Sequence, residues 1–243
     1  DKPSYLPSDA TDVLTLADVR NDALDALTRL ADALDAPQSP KVLQASTTQT
    51  LEPGPMNMLE LGKVIANHLP ENAIVSDEGA TNGMGAFAYT GYSAPHEWLM
   101  LTGGAIGQGL PLALGAAVAC PDQKVIALQA DGGAMYTVQS LWTMVRENLD
   151  VTVVLLNNSS YAILNIEMER VGVVNPSEKA RSLLDLSNPT IDWVHIAQGM
   201  GMTARRSESV ADFDQQFADA MQQRGPHLIE VILPGYAHSN PQG

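Results

Sequence analysis

One cysteine, Cys120, is all the chain has. An internal disulfide needs two and a cysteine-rich zinc site more, so both are excluded, and a lone helix-end thiol fits a reducing cytoplasm. Basic residues are scarce too: 13 Lys and Arg against 28 Asp and Glu leave a formal net charge of −15. Such a chain repels a phosphate backbone unless a basic groove is concentrated somewhere, and no Lys/Arg cluster is present, so nucleic acid is not an expected partner. No apolar run approaches the ~20 residues that span a bilayer, so no membrane span is expected. A signal peptide and an internal repeat are also missing. No histidine pair has the H-x-x-x-H spacing of a zinc site; His68, His195 and His227 fall in or beside regular elements, and His96, in "SAPHEW", is a loop residue.

What is present is 243 residues, 45% of them hydrophobic, enough for one good-sized core and part of another. The sequence opens at Asp1 rather than Met and reads as a piece of a longer chain. Near the start, a strand at Val13–Leu16 precedes an amphipathic helix with Asp18 as N-cap and Leu24, Leu27, Leu30 and Leu34 at helical spacing. One strand and one helix cannot close a core. Residues 37–55 are rich in Pro, Ser, Thr and Gln and read as a linker, which places a domain boundary there.

From Met56 onward helical and strand-like segments alternate. Helices are expected over Met58–His68, Gly79–Tyr89, Ile106–Ala119, Thr137–Glu147, from about Tyr161, over Ile191–Gly199 and over Ser209–Arg224. Strands are expected at Ala73–Ser76, Trp98–Leu101, Lys124–Leu128, Val151–Leu156, Met202–Arg205 and His227–Leu233. Their interiors are apolar almost throughout, the pattern of an α/β fold with a parallel sheet covered by helices on both faces. Ligands of such sheets sit at the carboxyl ends of the strands.

Two of those ends are unusual. In "ALQADGGAMYT" an apolar run stops at Asp131 and two glycines; in "VTVVLLNNSSY" another stops at Asn157 and Asn158. Residues 133–156, one helix and one strand, separate them, so both polar ends can emerge from neighbouring strands at one edge. A carboxylate, an amide oxygen and a loop carbonyl are hard donors suited to magnesium or calcium. Glycines after the carboxylate let backbone N–H groups approach an anion. Each motif alone is a common turn; their spacing is what joins them.

"ADGGAMYTVQSLWTMVRENLDVTVVLLNNSSY" resembles the thiamine diphosphate fingerprint, Gly-Asp-Gly followed by a helix, a strand and Asn-Asn, and the likeness runs over residues 56–233. It is to acetolactate synthase large subunits and benzoylformate decarboxylase, whose chains run from a pyrimidine-binding through a middle to a diphosphate-binding domain. The resemblance implies that residues 1–36 are the end of the middle domain and 56–243 the thiamine diphosphate and magnesium domain. It implies that Asp131, the Asn158 side chain and the Ser160 carbonyl hold magnesium, that Gly132 and Gly133 offer amides to phosphate oxygens, and that Ala80, Thr81 and Tyr161 touch the diphosphate. In "TGGAIGQGLP" the Gly104 carbonyl would accept from the cofactor's exocyclic amine and Ile106 would wedge beneath the bent cofactor. A dinucleotide reading of that loop fails, because the third glycine of G-x-G-x-x-G would be Leu112.

Two residues depart from the family pattern: Ala130 stands where glycine is usual, tolerable if its φ is negative, and Gly133 where serine often stands. Leu164 occupies the place where pyruvate decarboxylases carry an acid, which points away from simple acetaldehyde release. The segment "ILNIEMERVG" lacks the tryptophan usual in acetolactate synthases, so the resemblance leaves the particular small 2-oxoacid open. Glu167 and Glu169 read as solvated charges on a helix face, and Glu78 as a decoy for the glutamate that activates the aminopyrimidine. That glutamate belongs to a pyrimidine-binding domain, supplied in cis or by another chain, and a homo-oligomer is expected. Readings from other classes are a non-catalytic regulatory or assembly module that keeps the fold, and a flavodoxin-like nucleotide-binding protein.

Overall fold

The computed structural model describes residues 14–39, 46–173 and 175–235. The chain separates into two units between Gln44 and Ala45, inside the stretch expected as a linker. In the first unit, α1 (Ala23–Ala33) begins at Asp22, whose carboxylate accepts from the N–H groups of Leu24 and Asp25. The expected cap, Asp18, instead accepts from the backbone and guanidinium of Arg20. Of the expected first strand, Val13 lies outside the described residues, and 14–16 join no ladder. No residue of α1 is buried.

The second unit starts with an extended segment. Gln49 and Asn67 exchange two hydrogen bonds, the Glu60 carboxylate accepts from the Glu52 N–H, and Leu51 packs on the core. There follow α2 (Met58–His68), β1 (Ile74–Glu78), α3 (Ala80–Thr90), β2 (Glu97–Met100), α4 (Gly109–Ala119) and β3 (Val125–Ala130). After these come α5 (Asp131–Thr137), α6 (Ser140–Arg146), β4 (Val151–Asn157), α7 (Ala162–Arg170), α8 (Glu178–Ser182), α9 (Trp193–Gly199), β5 (Thr203–Ser207), α10 (Val210–Gln222) and β6 (His227–Ile232).

The six strands form one sheet in the order β2-β1-β3-β4-β6-β5, every pair parallel. Successive residues of a strand face opposite sides, so an apolar run such as Val125–Leu128 must be covered twice. On one side Ile126 and Leu128 share a cluster with Leu61 and Ile65 of α2 and with Phe213 and Phe217 of α10. On the other, Val125 and Ala127 share one with Leu110 of α4, Leu141 and Met144 of α6, and Trp193 of α9. The expected fold class is therefore the observed one.

Three local differences bear on function. Strands β1 and β3 run two residues further than expected, which places Glu78 and Ala130 at their ends. The helix expected at Thr137 is two helices, the first starting at Asp131 directly after β3. The helix expected from Ile106 starts at Gly109; Gly103, Gly104 and Gly107 have φ of 63°, 68° and 92°, a left-handed backbone that ends regular structure.

From β1 the chain steps outward to β2 and then returns past β1 to β3, so the direction of winding reverses between β1 and β3. A crevice opens there at the carboxyl edge. Register aligns the strand ends: Glu78 faces Gln129, Ala130 faces Leu156, and Asn157 faces Ile232.

Candidate cofactor and metal site

Asp131 is the first residue of α5 and is 2% exposed. Its Oδ1 accepts from the Gly132 N–H at 2.8 Å and its Oδ2 from the Ser159 N–H at 2.8 Å. Burial pushes its carboxyl up to about 6, against the opposing pull of the N–H donors of Gly132 and Ser159. No cationic side chain pairs with it among the described residues. A buried carboxylate without a counter-charge is a place for a cation.

Its neighbour is the turn that ends β4. Asn158 is buried and its Oδ1 accepts from the Ser160 N–H at 3.1 Å; the Ser159 N–H reaches both Asp131 and Asn157 Oδ1. Ser159 has φ of 53°, a left-handed conformation that a non-glycine residue keeps only when its surroundings over-determine it. The three proposed metal residues thus lie on two adjoining strand ends joined by a hydrogen bond. The donors are a carboxylate, an amide oxygen and a peptide carbonyl, a hard oxygen set that fits magnesium. Among the described residues no trio of His, Cys, Asp or Glu could hold a metal, so a site here depends on the amide and the carbonyl.

Gly132 packs under Tyr161: a Cβ there would come within 2.5 Å of the Tyr161 ring. Its N–H donates to Asp131 Oδ1, the carboxylate of the preceding residue, at 2.8 Å. The sequence signal for Gly132 is therefore close packing as much as anion approach. Ala130 has φ of −68°, the extended backbone that makes alanine admissible where the family has glycine. Ala80 opens α3 just beyond β1 with φ of 48°, a strained start at the crevice beside Thr81.

The glycine loop is fixed from below. Glu78, 4% exposed, accepts from the N–H of Gly107 at 2.6 Å and from that of Gly109 at 2.6 Å, while the Thr137 hydroxyl donates to the Gly107 carbonyl at 2.9 Å. Glu78 is thus no spare acid, in keeping with its reading as a decoy for the pyrimidine-ring glutamate; its carboxylate is the anchor of the loop. Above the anchor Ile106 is 53% exposed, and its N–H donates to the Gly104 carbonyl at 2.9 Å, so that carbonyl is partly committed within the loop. A Cβ at Gly133 would lie 2.6 Å from Glu78 Oε1 and 2.9 Å from Gln129 Nε2. The missing serine at 133 has this physical reason: the space holds the Glu78 and Gln129 side chains.

Leu164 follows Tyr161 by one helical turn, its N–H donating to the Tyr161 carbonyl at 3.0 Å. It is half-exposed on α7 and lines an open apolar cleft of about 420 Å³ with Met168, Val171, Ala180, Leu183 and Leu184. A second cleft of about 540 Å³, lined by Asn158, Ser160, Asn165, Arg181 and Asp185, borders the turn that ends β4. Glu167 pairs with Arg170, as expected of a solvated helix face. His96 sits before β2, at the amino edge of the sheet and away from the crevice, with Nδ1 on the Ala94 carbonyl and its ring against Trp98.

Residues 77–231 match the family model of the thiamine pyrophosphate enzyme C-terminal TPP binding domain. The chain belongs to that family. It is 45% identical over 233 residues to a Mycobacterium tuberculosis protein named "Putative acetolactate synthase large subunit IlvX", covering 96% of this chain and 45% of that one. Against acetolactate synthase 1, chloroplastic, of Nicotiana tabacum the identity is 33% over 177 residues, 70% of this chain and 26% of the relative. Among solved structures, the thiamine diphosphate-dependent 4-hydroxybenzoylformate decarboxylase of Rhodococcus jostii superposes with a TM-score of 0.72 at 25% identity, over 88% of this chain and 40% of that one. The chain therefore spans less than half the length of these relatives. Family membership sets aside the flavodoxin-like reading, and the apolar strands and Gly-rich turns common to both folds explain why composition alone left it open.

Two residues of the site escaped sequence reasoning. Glu230 on β6 accepts from Asn157 Nδ2 at 2.7 Å, and Asp77 accepts from the Gly79 N–H at 2.9 Å before α3. The signal for Glu230 was available: it is an acid in the middle of the apolar strand "HLIEVI".

Proposed function

We propose that this chain is the cofactor-binding portion of a thiamine diphosphate- and magnesium-dependent 2-oxoacid decarboxylase or carboligase of the acetolactate synthase kind. The observation that carries the reading is the buried Asp131 carboxylate, joined through Ser159 to the Asn158 turn and without a cationic partner among the described residues. Asp131 Oδ, Asn158 Oδ1 and the Ser160 carbonyl would hold magnesium, and Gly133, Ala80, Thr81 and Tyr161 would border the diphosphate. Thiamine diphosphate supplies, when bound, an electron sink for the carbon that loses carbon dioxide.

The chain's own residues do the positioning. Asp131 offsets diphosphate charge through the metal, Glu78 holds the glycine loop, and the loop presents Ile106 toward the solvent-open edge, where a bulky apolar group can enforce a bent cofactor. Leu164 offers an apolar wall to the substituent of a 2-oxoacid. The remaining acid, a glutamate on the aminopyrimidine, would come from a pyrimidine-binding domain in cis or from another chain, within a homo-oligomer in the cytoplasm. Half-exposed Ile106, Met135, Tyr136 and Ile163 are apolar surface that such a domain would cover. Among the described residues no helix is long and apolar enough to cross a membrane.

Titration calorimetry tests the reading. Thiamine diphosphate should bind only with magnesium, and ATP and NAD should not bind under the same conditions. Equal binding of ATP, or cofactor binding indifferent to magnesium, overturns it; binding without any restorable activity would favour a non-catalytic assembly module.

A further inference from the structure

Glu230 is 0% exposed, on a strand with Leu228, Ile229 and Val231 around it. A carboxylate at that depth persists only when both oxygens have partners. Its Oε2 accepts from Arg206 Nε at 2.8 Å and its Oε1 from Asn157 Nδ2 at 2.7 Å. The Asn157 amide is thereby turned one way, with its NH₂ to Glu230 and its oxygen to Ser159. That oxygen accepts from the Ser159 N–H at 3.0 Å and from the Ser159 hydroxyl at 3.1 Å. The same N–H donates to Asp131 Oδ2 at 2.8 Å. Every link is directional, so the run from Arg206 to Asp131 has one satisfied arrangement, and the left-handed Ser159 sits at its end.

We propose that Glu230 is the positioning residue of the metal site: by orienting the Asn157 amide it holds the turn that presents Asn158 and Ser160 beside Asp131. The inference rests on the magnesium reading of those three residues. It makes an unusual demand on chemistry at position 230, which must accept on two sides at once. Glutamine has one acceptor oxygen. The guanidinium claims it, because a charge-assisted hydrogen bond outcompetes a neutral one. The glutamine NH₂ then faces the Asn157 NH₂, Asn157 turns over, and its NH₂ meets the Ser159 N–H. Removing the guanidinium returns the oxygen to Asn157.

The test uses the full chain and Mn²⁺ as a spectroscopic substitute for magnesium, with free Mn²⁺ read by electron paramagnetic resonance in the presence of thiamine diphosphate. Glu230→Gln should weaken Mn²⁺ binding about ten-fold or more, as removal of an outer-shell partner does. Glu230→Gln with Arg206→Ala should bind within about three-fold of the wild type, although it has lost more native contacts. A merely structural role predicts the opposite order, the double variant being the weaker. That order, or Glu230→Gln within about two-fold of the wild type, overturns the proposal. Should Glu230→Gln not fold, Asn157→Ala removes the orientation while leaving the ion pair, and the same loss is expected. If the wild type itself binds no Mn²⁺, the magnesium reading fails; amide exchange at Ser159 and Ser160 then judges the positioning, supported by faster exchange in Glu230→Gln that the double variant restores and overturned by equal rates.

Discussion

The carboxylate of Glu78 accepts from the peptide N–H of Gly107 at 2.6 Å, and this bond, with its companion to Gly109, ties the end of β1 to the loop that carries Ile106. Truncating Glu78 to alanine strands two buried donors, each costing about 1–3 kcal/mol when left unpaired. Glu78→Ala should therefore lower the urea midpoint and accelerate amide exchange at Gly107 and Gly109 while exchange in β4 stays slow. Unchanged protection of the loop would show that Thr137 alone holds it.

Because both Glu78 oxygens are committed, Glu78 does not stand in for a pyrimidine-ring glutamate. The 243 residues alone should release negligible carbon dioxide from pyruvate or benzoylformate, and activity should appear when a pyrimidine-binding region is restored in cis or added as a second polypeptide. Full turnover by the isolated chain would mean that one of its own carboxylates takes that part.

The contact between Gly132 and Tyr161 leaves no room for a methyl group. Gly132→Ala should shift the ring or the start of α5, cost about 1–3 kcal/mol as overpacking does, and weaken cofactor binding. Adding Tyr161→Ala should recover stability but not affinity, if Tyr161 borders the diphosphate. Thermal melts and calorimetry separate the two effects.

Asp131 gives the metal-free chain a pH dependence of known sign. Burial raises its folded value from 3.8 to about 6, so the folded state holds the proton more tightly than the unfolded state. Its contribution is most favourable at pH below 3.8 and is lost as pH rises through about 6, on the order of 3 kcal/mol in full. The difference in Tm between the wild type and Asp131→Ala, taken across that window, should fall with rising pH. Magnesium with thiamine diphosphate should reverse the trend for the wild type only, since a dication stabilises the ionised form. A flat difference would place the proton elsewhere.

Asp131→Ala should also abolish magnesium-dependent cofactor binding without unfolding the chain, whereas Asn158→Ala should weaken it less, because water replaces a neutral amide oxygen more readily than a charge. Equal effects of the two substitutions on affinity would assign the charge neutralisation to another group.

The sequence by itself determined the layers and the strand ends at which the candidate site is proposed. Val125–Leu128 is apolar at every position and Val151–Leu156 at all but Thr152, which only a sheet covered on both faces can bury, and the polar residues that follow these runs, Asp131 and Asn157–Asn158, fall at the strand ends. Tertiary structure alone decided which polar groups pair. Glu78 and Gly107 are 29 residues apart in the chain and Asn157 and Glu230 are 73 apart, so no local pattern joins them; register and strand order do. The start of α5 was settled the same way. Two glycines after Asp131 argue locally for a turn, yet α5 begins at the carboxylate itself, and Tyr161 packs where a Gly132 side chain would be and Glu78 with Gln129 where a Gly133 side chain would be.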